Sequence, residues 1–412
     1  MNKNIYDFEK KLDQIQLYGL HDIKSGSALH YKLKADDDLY KMPLSLTRSF
    51  LRVLRASVSL AISEHKNENA KVIMLFSNSY RGRDDYMKWF EAIAEKISDI
   101  QIFCPAKRTI YLKNLMYLSY YAIWIFQTRK ASDIKRKLIY LSILYEGFID
   151  YQYIIHRLSN AGKILAVVSD THLIDSMVVQ HSKDFMDTAT FQHGMYLDNS
   201  DSYVYSKSKY FLTQGEFSKQ QAIKSGLEPS KLIVLGMPSM VNKVSHTELY
   251  VKKCNEIAIF LTGDFFSQDD INMLKIILKW NYSYGYKLKV KPHPNYGLEK
   301  YDFDKWNEFI IMSEKETAVS IAENSMISVT NGSTLFAEFS SLLLPVIDYR
   351  GTSKIYSNIK ELGFTNIQEF DNLVHMFLNT PSSFEEKEKE IKELFCINDV
   401  TKNYFTFFNS YC

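Results

Sequence analysis

A histidine followed by a glycine ends a short apolar run near the middle of the chain, at Gln192-His193-Gly194. The pKa of histidine suits it to remove a proton from an alcohol at neutral pH, and a glycine lets the backbone bend sharply beneath a substrate. A hydrogen-bonded histidine at a structural corner is the alternative interpretation. We therefore treat His193 as a candidate general base. Gln192 and Gly194 are candidates for the acceptor side of the site, where the alcohol that receives a transferred group would lie.

Other polar groups follow predicted strands in the same half of the chain. Asp170 and His172 follow the run KILAVVS, and Asp170 is a second candidate for the general base. Arg81 and Arg83 lie in SNSYRGRDD after the first predicted strand, where their charges could meet an anionic acceptor. An arginine pair in a loop is more often simply solvated.

A helix start with small hydroxyl residues occurs in the second half, within SMISVTNGSTLFAEFSSLLLPVIDY (residues 325–349). The pattern predicts a strand, a tight Asn-Gly turn and a helix that opens at Ser333. Unpaired N–H groups and the helix dipole at such a start attract phosphate, although a capped helix with nothing bound fits the same residues. Glu338 follows Thr334 by one turn and lies on the same face. The candidate residues of this segment for binding a phosphate-bearing donor substrate are Asn331, Gly332, Ser333, Thr334 and Glu338.

His293 stands between two prolines in KVKPHPN, just after another predicted strand. Proline removes a backbone donor and fixes φ, so the two prolines present this histidine rigidly. A histidine donates hydrogen bonds to a phosphate oxygen, more strongly when it is protonated. A structural histidine in a proline turn is the alternative, but we favour a role of His293 in binding the phosphate of a group-donor substrate.

Short β-branched runs alternate with amphipathic helices along most of the chain, which is the pattern of parallel sheets covered on both faces. The predicted strands lie within residues 71–79, 99–105, 163–170, 188–194, 209–216, 231–238, 256–264, 286–294, 309–315, 325–333 and 342–349. Ligands of such sheets bind beyond the carboxyl ends of the strands. The sequence therefore predicts an α/β protein of two domains, each with a doubly wound parallel sheet.

The alternation breaks in the polar stretch VNKVSHTELYVKK (residues 241–253), where we place the domain boundary. A chain of 412 residues is too long for one ordinary core. We expect an acceptor-side domain over residues 1–240 and a nucleotide-donor domain over residues 241–385. Residues 386–412 are expected to form a helix and tail that return to the first domain.

Composition excludes several classes of protein. The hydrophobic fraction of 46% and the charged fraction of 24% are those of a globular chain, and a formal charge of +2 argues against binding of nucleic acid. The four cysteines lie far apart without zinc spacing, which is typical of free thiols in a reducing compartment. The sequence shows no signal-peptide pattern, membrane span, HExxH, GxSxG or P-loop motif, or acidic metal cluster. We therefore expect a cytoplasmic protein that works without a metal ion or another cofactor.

Residues 107–137 combine basic flanks with an aromatic-rich apolar stretch that is too short to span a bilayer. Peripheral contact with the inner face of the cell membrane is one interpretation, since Lys and Arg attract anionic lipid while Tyr and Trp favour the interface. A helix buried between the sheet and its neighbour is the other interpretation, and it is the one that we favour.

The order of these motifs resembles that of the GT-B glycosyltransferases of bacterial surface polysaccharides, whose two Rossmann-like domains face each other across a cleft. FQHG, FLTQGEFSKQQAIKSGLEPSKLIVLGMPS, VKPHPN and SVTNGSTLFAEFSSLLLPVI carry the resemblance over roughly residues 160–350. The group includes capsule sugar transferases and the CDP-glycerol or ribitol-phosphate polymerases of teichoic acid. FQHG in place of a tryptophan form, and the lack of an Asp-Tyr-Ser-Ser ending, favour a sugar transferase.

The resemblance implies a role for each candidate residue. By this resemblance His193 is the general base or positions the acceptor. His293 and Ser333-Thr334 hold the donor phosphates, while Glu338 contacts a ribose or a sugar. The implied partners are a nucleotide-sugar donor and a glycan or lipid-linked acceptor. A CDP-glycerol or CDP-ribitol polyol-phosphate transferase, a nucleotide-sugar 2-epimerase and a non-catalytic polysaccharide-assembly subunit stay open as alternatives.

Overall fold

The computed structural model describes most of the chain from residue 46 onward, together with Leu17, Leu20 and Ile23. The described ranges are 46–62, 69–77, 84–97, 99–104, 107–110, 112–128, 134–158, 160–192, 194, 206–243, 246–263, 266–294, 296–313, 315–352, 356, 359–395 and 399–412.

A sheet of six parallel strands lies in the N-terminal part of the chain. Its strands are β2 (Val72–Leu75), β3 (Ile100–Phe103), β5 (Ile164–Val167), β6 (Asp187–Phe191), β7 (Tyr210–Thr213) and β8 (Leu232–Val234). They lie in the order β3-β2-β5-β6-β7-β8, so the strand order reverses between β2 and β5. The sequence does not predict a further antiparallel pair, β1 (Ser59–Ile62) and β4 (Lys107–Ile110).

Helices cover both faces of this first sheet. The described helices here are α1 (Leu46–Val58), α2 (Asp84–Ala94), α3 (Leu118–Gln127), α4 (Ile134–Ile155), α5 (Leu173–Ser182) and α6 (Glu216–Lys224). In β2, Val72 and Met74 belong to the core that includes α2, whereas Ile73 and Leu75 belong to the core that includes α4. All four side chains are buried, because a parallel strand between two helix layers has no solvent face.

The second sheet also has six parallel strands. Its strands are β9 (Glu256–Phe260), β10 (Lys287–Lys291), β11 (Ile310–Ile311), β12 (Ile327–Thr330), β13 (Val346–Tyr349) and β14 (Gly363–Phe364). The described helices of this part are α7 (Ser267–Asn281), α8 (Ala318–Glu323), α9 (Thr334–Leu342), α10 (Ile367–Asn379), α11 (Pro381–Phe395) and α12 (Val400–Asn409). The order β11-β10-β9-β12-β13-β14 reverses between β9 and β12, which opens a crevice at the carboxyl ends of those two strands.

The last helix of the chain packs against the first sheet. The rings of Tyr404 in α12 and Phe191 in β6 stack with centroids 5.8 Å apart. The Tyr404 hydroxyl donates a hydrogen bond of 2.9 Å to the Gly236 carbonyl, and the Tyr411 hydroxyl donates one of 2.9 Å to Asp187. The predicted boundary at residue 385 falls inside α11, which runs without a break from Pro381 to Phe395.

In its described residues (107–110, 112–128 and 134–137), the segment of residues 107–137 does not form a buried helix, so the interpretation favoured from its sequence is wrong. It contains β4, a 3₁₀ turn (Leu112–Tyr117), the helix α3 and the first turn of α4. Trp124 is the one buried side chain of α3. The helix that is buried is α4, whose apolar residues face the sheet and α5. The composition of the segment is apolar, but α3 lies at the surface because α4 already covers that face of the sheet.

A buried carboxyl group makes the stability of the second domain depend on pH. Glu388 in α11 is buried, its Oε1 accepts a hydrogen bond of 2.9 Å from the Val346 N–H, and burial raises its pKa from 4.5 to about 8. The folded chain therefore holds this proton more tightly than the unfolded chain does. The contribution of Glu388 to the free energy of unfolding falls as the pH rises from about 4.5 to about 8. The fall is at most about 1.4 kcal/mol for each pH unit.

We expect Glu388→Gln to gain in melting temperature relative to the natural chain across that pH window, and the gain to level off above about pH 8. Glutamine keeps an acceptor for Val346 and does not ionise. Thermal unfolding measured at several pH values, with exposed Glu390→Gln on the same helix as the control, tests this. A difference between Glu388→Gln and the natural chain that does not vary with pH would contradict it.

Candidate functional site

The crevice of the second sheet is bounded by the chain that follows β9 and β12. Thr262 and Gly263 follow β9, and Asn331 follows β12. The Thr262 hydroxyl donates a hydrogen bond of 2.6 Å to the Asn331 carbonyl. The two strand ends on either side of the reversal in strand order are therefore tied together, where this fold class binds its ligands.

A buried carboxylate, Asp270 near the start of α7, holds this crevice in shape. It accepts hydrogen bonds from the backbone N–H groups of Thr262 and Gly263 at 3.0 Å and 2.8 Å. It also accepts one of 2.8 Å from Asn331 Nδ2 and one of 2.9 Å from the Tyr301 hydroxyl. Burial raises the pKa of Asp270 to about 6, and the hydrogen bonds oppose that rise. The side chain of Asn331 is itself buried, so its hydrogen bond to Asp270 helps to hold the two strand ends together.

His293 lies beside Gly263, at the carboxyl ends of the neighbouring strands β10 and β9. The φ of Gly263 is +73°, and a Cβ atom there would lie 3.2 Å from the His293 Cβ and 2.8 Å from the Tyr296 Cβ. Only glycine combines that φ with so close an approach. The fold therefore brings the predicted His293 next to the crevice between β9 and β12.

The turn after β12 is held by a second buried carboxylate. Gly332, with φ +57°, donates its backbone N–H to Asp348 Oδ1 at 2.9 Å, and the Thr330 hydroxyl donates to the same oxygen at 2.6 Å. Arg350 pairs with the other oxygen of Asp348. Burial raises the pKa of Asp348, and the charge of Arg350 opposes that rise. The predicted Asn-Gly turn thus depends on an acid from the next strand.

Helix α9 begins beside this turn. Its N-cap is Ser333, whose hydroxyl accepts a hydrogen bond of 3.3 Å from the Leu335 N–H, and the Tyr356 hydroxyl donates one of 2.8 Å to the Ser333 carbonyl. The cap stabilises the helix start. Thr334, the first residue of α9, lies next to the N-terminal domain, as described below.

The predicted Glu338 lies one turn further along α9 and is paired with a lysine. Lys243 Nζ lies 2.8 Å from Glu338 Oε1, and the side chain of Glu338 is mostly buried. Lys243 belongs to the segment that joins β8 to β9. A cation from the connection between the two sheets therefore lies within one helical turn of Thr334.

At the end of β6, Gln192 holds the backbone of the Gln-His-Gly motif. It is fully buried, and its Nε2 donates hydrogen bonds to the Gly194 carbonyl at 2.8 Å and to the Ser218 hydroxyl at 3.0 Å. Its Oε1 accepts one of 3.0 Å from the Gln214 N–H. Gln192 therefore bridges the ends of β6 and β7 and fixes the position of Gly194, which is a positioning role on the acceptor side.

Gly194 faces the second domain. A Cβ atom on Gly194 would lie 3.9 Å from Thr334 Oγ1, at the start of α9. The strand end that carries the motif thus lies against the helix start that the sequence predicts to bind phosphate. His193, Arg81 and Arg83 lie outside the described residues.

Asp170 lies in the first domain, where its strand β5 ends beside β2. It is buried, and its Oδ2 accepts hydrogen bonds from the Ser206 hydroxyl at 3.0 Å and from the N–H groups of Lys207 and Ser208, both at 2.6 Å. Burial raises its pKa, against the effect of these donors. Through these contacts, Asp170 anchors residues 206–208, which immediately precede β7.

Two features are absent from the part of the chain that the structure describes. Within those residues, no group of three or more His, Cys, Asp and Glu side chains is arranged to hold a metal ion. No described helix has both the length and the apolar character needed to cross a membrane.

Sequence reasoning missed Gly263, Asp270 and Lys243. Gly263 follows β9 as Gly194 follows β6, so the strand-end criterion applied to LTGD would have found it. Nothing local marks the other two, because Asp270 binds a side chain 61 positions away and Lys243 binds one 95 positions away.

Comparison with known proteins gives likeness in fold only. No family model matches the sequence, and no curated protein matches it. A UDP-GlcNAc 2-epimerase of Methanocaldococcus jannaschii, solved with UDP-GlcNAc and UDP, is 13% identical with a TM-score of 0.50, and the match covers 82% of this chain and 99% of that one. The wall teichoic acid polymerase TagF matches with 13% identity and a TM-score of 0.49, over 93% of this chain and 96% of that one. The lipopolysaccharide outer core galactosyltransferase WaaB matches with 10% identity and a TM-score of 0.46, over 82% and 99%.

The fold class is the one predicted from the sequence. Two Rossmann-like domains, each with a doubly wound parallel sheet, face each other where Gly194 approaches Thr334. This is the GT-B arrangement.

Proposed function

We propose that this chain is a glycosyltransferase that moves a sugar from a nucleotide-activated donor to a hydroxyl of a growing bacterial surface glycan. The observation that carries the proposal is the approach of Gly194 to Thr334, 3.9 Å from a Cβ at that glycine. It places the residue after His193 against the helix start that would receive the donor diphosphate. In this proposal, the acceptor-side base and the donor phosphate site would be neighbours across the two domains.

The donor would lie in the crevice of the second sheet. The N–H groups at the start of α9 and the imidazole of His293 would hold its diphosphate and stabilise the charge that develops as it leaves. Glu338, with Lys243 beside it, would contact the ribose or the sugar. Gln192, Asn331, Gly332 and Asp270 would keep these groups in place.

In the transfer step, the acceptor oxygen bonds to the anomeric carbon while the bond from that carbon to the diphosphate oxygen breaks. The acceptor proton passes to His193, and the nucleotide leaves with the electron pair. The closed cleft excludes water, which would otherwise compete with the acceptor. No metal ion or further cofactor is required in this scheme, because the helix start and His293 supply the charge stabilisation.

The acceptor would be a glycan or a lipid-linked saccharide, and the protein would work in the cytoplasm. The free thiols of Cys104, Cys254 and Cys412 suit a reducing compartment. Arg81 and Arg83 would meet an anionic acceptor.

A donor screen of the purified chain tests the proposal. UDP, GDP, CMP and CDP-glycerol are added in turn, and a nucleotide at about 100 times its Kd should add about 2.7 kcal/mol to the free energy of unfolding. Nucleotide sugars should then release their nucleotide when a saccharide acceptor is present, also in excess EDTA. Glu338→Gln should raise about tenfold the nucleotide concentration that produces half of the thermal shift. Exposed Glu248→Gln should leave that concentration unchanged.

Each alternative predicts a different result in the same screen. Turnover of CDP-glycerol or CDP-ribitol alone indicates a polyol-phosphate transferase. Conversion of UDP-N-acetylhexosamine without an acceptor indicates a 2-epimerase, and binding without any turnover indicates an assembly subunit.

A further inference from the structure

Helix α6 of the first domain lies directly against α11 of the second. The N-cap of α6 is Gly215, which follows β7 closely in the chain. A Cβ atom on Gly215 would lie 2.8 Å from the Leu394 carbonyl oxygen and 2.9 Å from the Phe395 Cα, at the end of α11. The lack of a side chain at Gly215 therefore lets the backbones of the two domains approach each other at this point.

Aromatic side chains fill the space beside this contact. The ring of Phe217 in α6 lies with its centroid 5.3 Å from that of Phe395 and 6.2 Å from that of Tyr356, which belongs to the chain between β13 and β14. The rings of Tyr356 and Phe395 are 5.7 Å apart, and both side chains are buried. A residue of the first domain thus packs on a buried tyrosine of the second.

Tyr356 in turn contacts the start of α9. Its hydroxyl donates a hydrogen bond of 2.8 Å to the Ser333 carbonyl, which also accepts the Phe336 N–H at 3.1 Å. The rings of Tyr356 and Phe336 lie 5.0 Å apart. The guanidinium carbon of Arg350 lies 5.3 Å from the Tyr356 ring centroid, and Arg350 pairs with Asp348, the acid that holds the turn before α9. Tyr356 therefore contacts the first turn of this helix through its ring and through its hydroxyl.

The same helix α6 is tied to the Gln-His-Gly motif. Ser218, the neighbour of Phe217, accepts a hydrogen bond of 3.0 Å from Gln192 Nε2, and that amide also donates to the Gly194 carbonyl. Successive contacts thus run from the motif through α6 and Tyr356 to the start of α9.

We propose that Tyr356 is a positioning residue through which the first domain sets the position of the start of α9. The proposal rests on the proposed function, in which the N–H groups of that helix start receive the donor diphosphate. Packing of Phe217 fixes the Tyr356 ring, and the Tyr356 hydroxyl fixes the N-cap carbonyl. The two sides of the cleft are then aligned by one side chain. A tyrosine that only filled the core would need its ring for stability, and loss of its hydroxyl would leave nucleotide binding unchanged.

Tyr356→Phe tests the role of the hydroxyl, because it keeps the ring and removes only the bond to Ser333. Calorimetric titration of the full chain with UDP, GDP and CDP gives the Kd of each. For the nucleotide that binds the natural chain, the Kd should rise about three- to tenfold, the effect of losing one hydrogen bond. Tyr282→Phe removes the hydroxyl of a tyrosine that is 65% exposed in the same domain, and it should leave the Kd unchanged.

Phe217→Leu tests the link from the other domain. It should raise the Kd of the nucleotide about threefold, although Phe217 belongs to the first domain. In the Tyr356→Phe background the same change should raise the Kd by less than about 1.5-fold, because contacts that act in one chain are not additive. Phe185→Leu, at a side chain of the first domain that is 58% exposed, should have no effect in either background.

Turnover gives a second measurement of positioning. In Tyr356→Phe, kcat with saturating donor and acceptor should fall about tenfold, because the diphosphate is displaced relative to the acceptor-side motif. The KM for the acceptor should stay within about twofold of the natural value, since the acceptor contacts are untouched. A fall in melting temperature with kcat and Kd both unchanged would show a structural role only.

The results that overturn this inference differ from those that overturn the proposed function. Natural nucleotide affinity in Tyr356→Phe or in Phe217→Leu, or effects of the two changes that simply multiply, would refute the positioning role and leave the donor site standing. A natural chain that binds none of the three nucleotides would refute the donor site and this inference with it. Melting curves show that each variant folds, and Phe217→Met replaces Phe217→Leu if the latter does not.

Discussion

His193→Ala is expected to lower the rate of sugar transfer by about 10²- to 10⁴-fold, the range for loss of a general base. The affinity for nucleotide should change by no more than about twofold. The reason is a division of labour between the two domains: His193 follows β6 of the first sheet, whereas His293 and the start of α9 belong to the second. The measurement is kcat with saturating donor and acceptor, next to a thermal-shift titration with the nucleotide.

His375→Ala is the matched control, because this exposed histidine of α10 pairs with Asp371 and lies away from the crevice. Its kcat should equal that of the natural chain. The kcat of the natural chain should also fall at acidic pH as the base is protonated, and that limb of the profile should be absent from His193→Ala. A variant that keeps at least a third of the natural kcat would show that His193 is not the base.

Asp270→Ala is expected to destabilise the second domain by about 3 kcal/mol and to abolish the nucleotide-dependent thermal shift. It leaves the N–H groups of Thr262 and Gly263, the Asn331 amide and the Tyr301 hydroxyl without their acceptor. Each buried donor left unpaired costs about 1–3 kcal/mol, partly offset because a buried charge is removed. The loops after β9 and β12 lose their common anchor, so His293 and the turn before α9 lose their relative position.

Denaturant unfolding and nucleotide titration of Asp270→Ala test the two parts separately. Asp304→Asn removes an exposed carboxylate of the same domain and should match the natural chain in both assays. Asp270→Asn, which keeps one acceptor oxygen, should fold more stably than the alanine variant and still bind nucleotide more weakly than the natural chain. Nucleotide affinity equal to the natural value in a folded Asp270 variant would remove Asp270 from the site.

Several features were predictable because they depend on residues that are near in sequence. The strand, the Asn-Gly turn and the helix start at Ser333 are local, and β12 and α9 occur where the pattern predicts them. The turn residue Gly332 has the positive φ that favours glycine there. Apolar runs buried on both sides also predicted two parallel sheets, because hydrophobic patterning records burial.

The places where prediction failed share a different cause. The segment of residues 107–137 has the apolar composition of a buried helix, yet α3 is exposed because α4 occupies the covering position. Composition tells how apolar a helix is, but not which of two apolar helices reaches the sheet. The short strands β1, β4 and β14 give too little pattern to be recognised.

The sequence by itself determined the two sheets, the strand ends and the chemical types of the residues placed there, because these follow from local spacing and burial. Only the tertiary structure decided which strand ends are neighbours. The pairing of β9 with β10 puts Gly263 beside His293, the reversal of strand order ties Thr262 to Asn331, and the facing domains put Gly194 beside Thr334. Contacts between residues that are dozens of positions apart are set by packing and by the pairing of buried donors, and no local pattern records them.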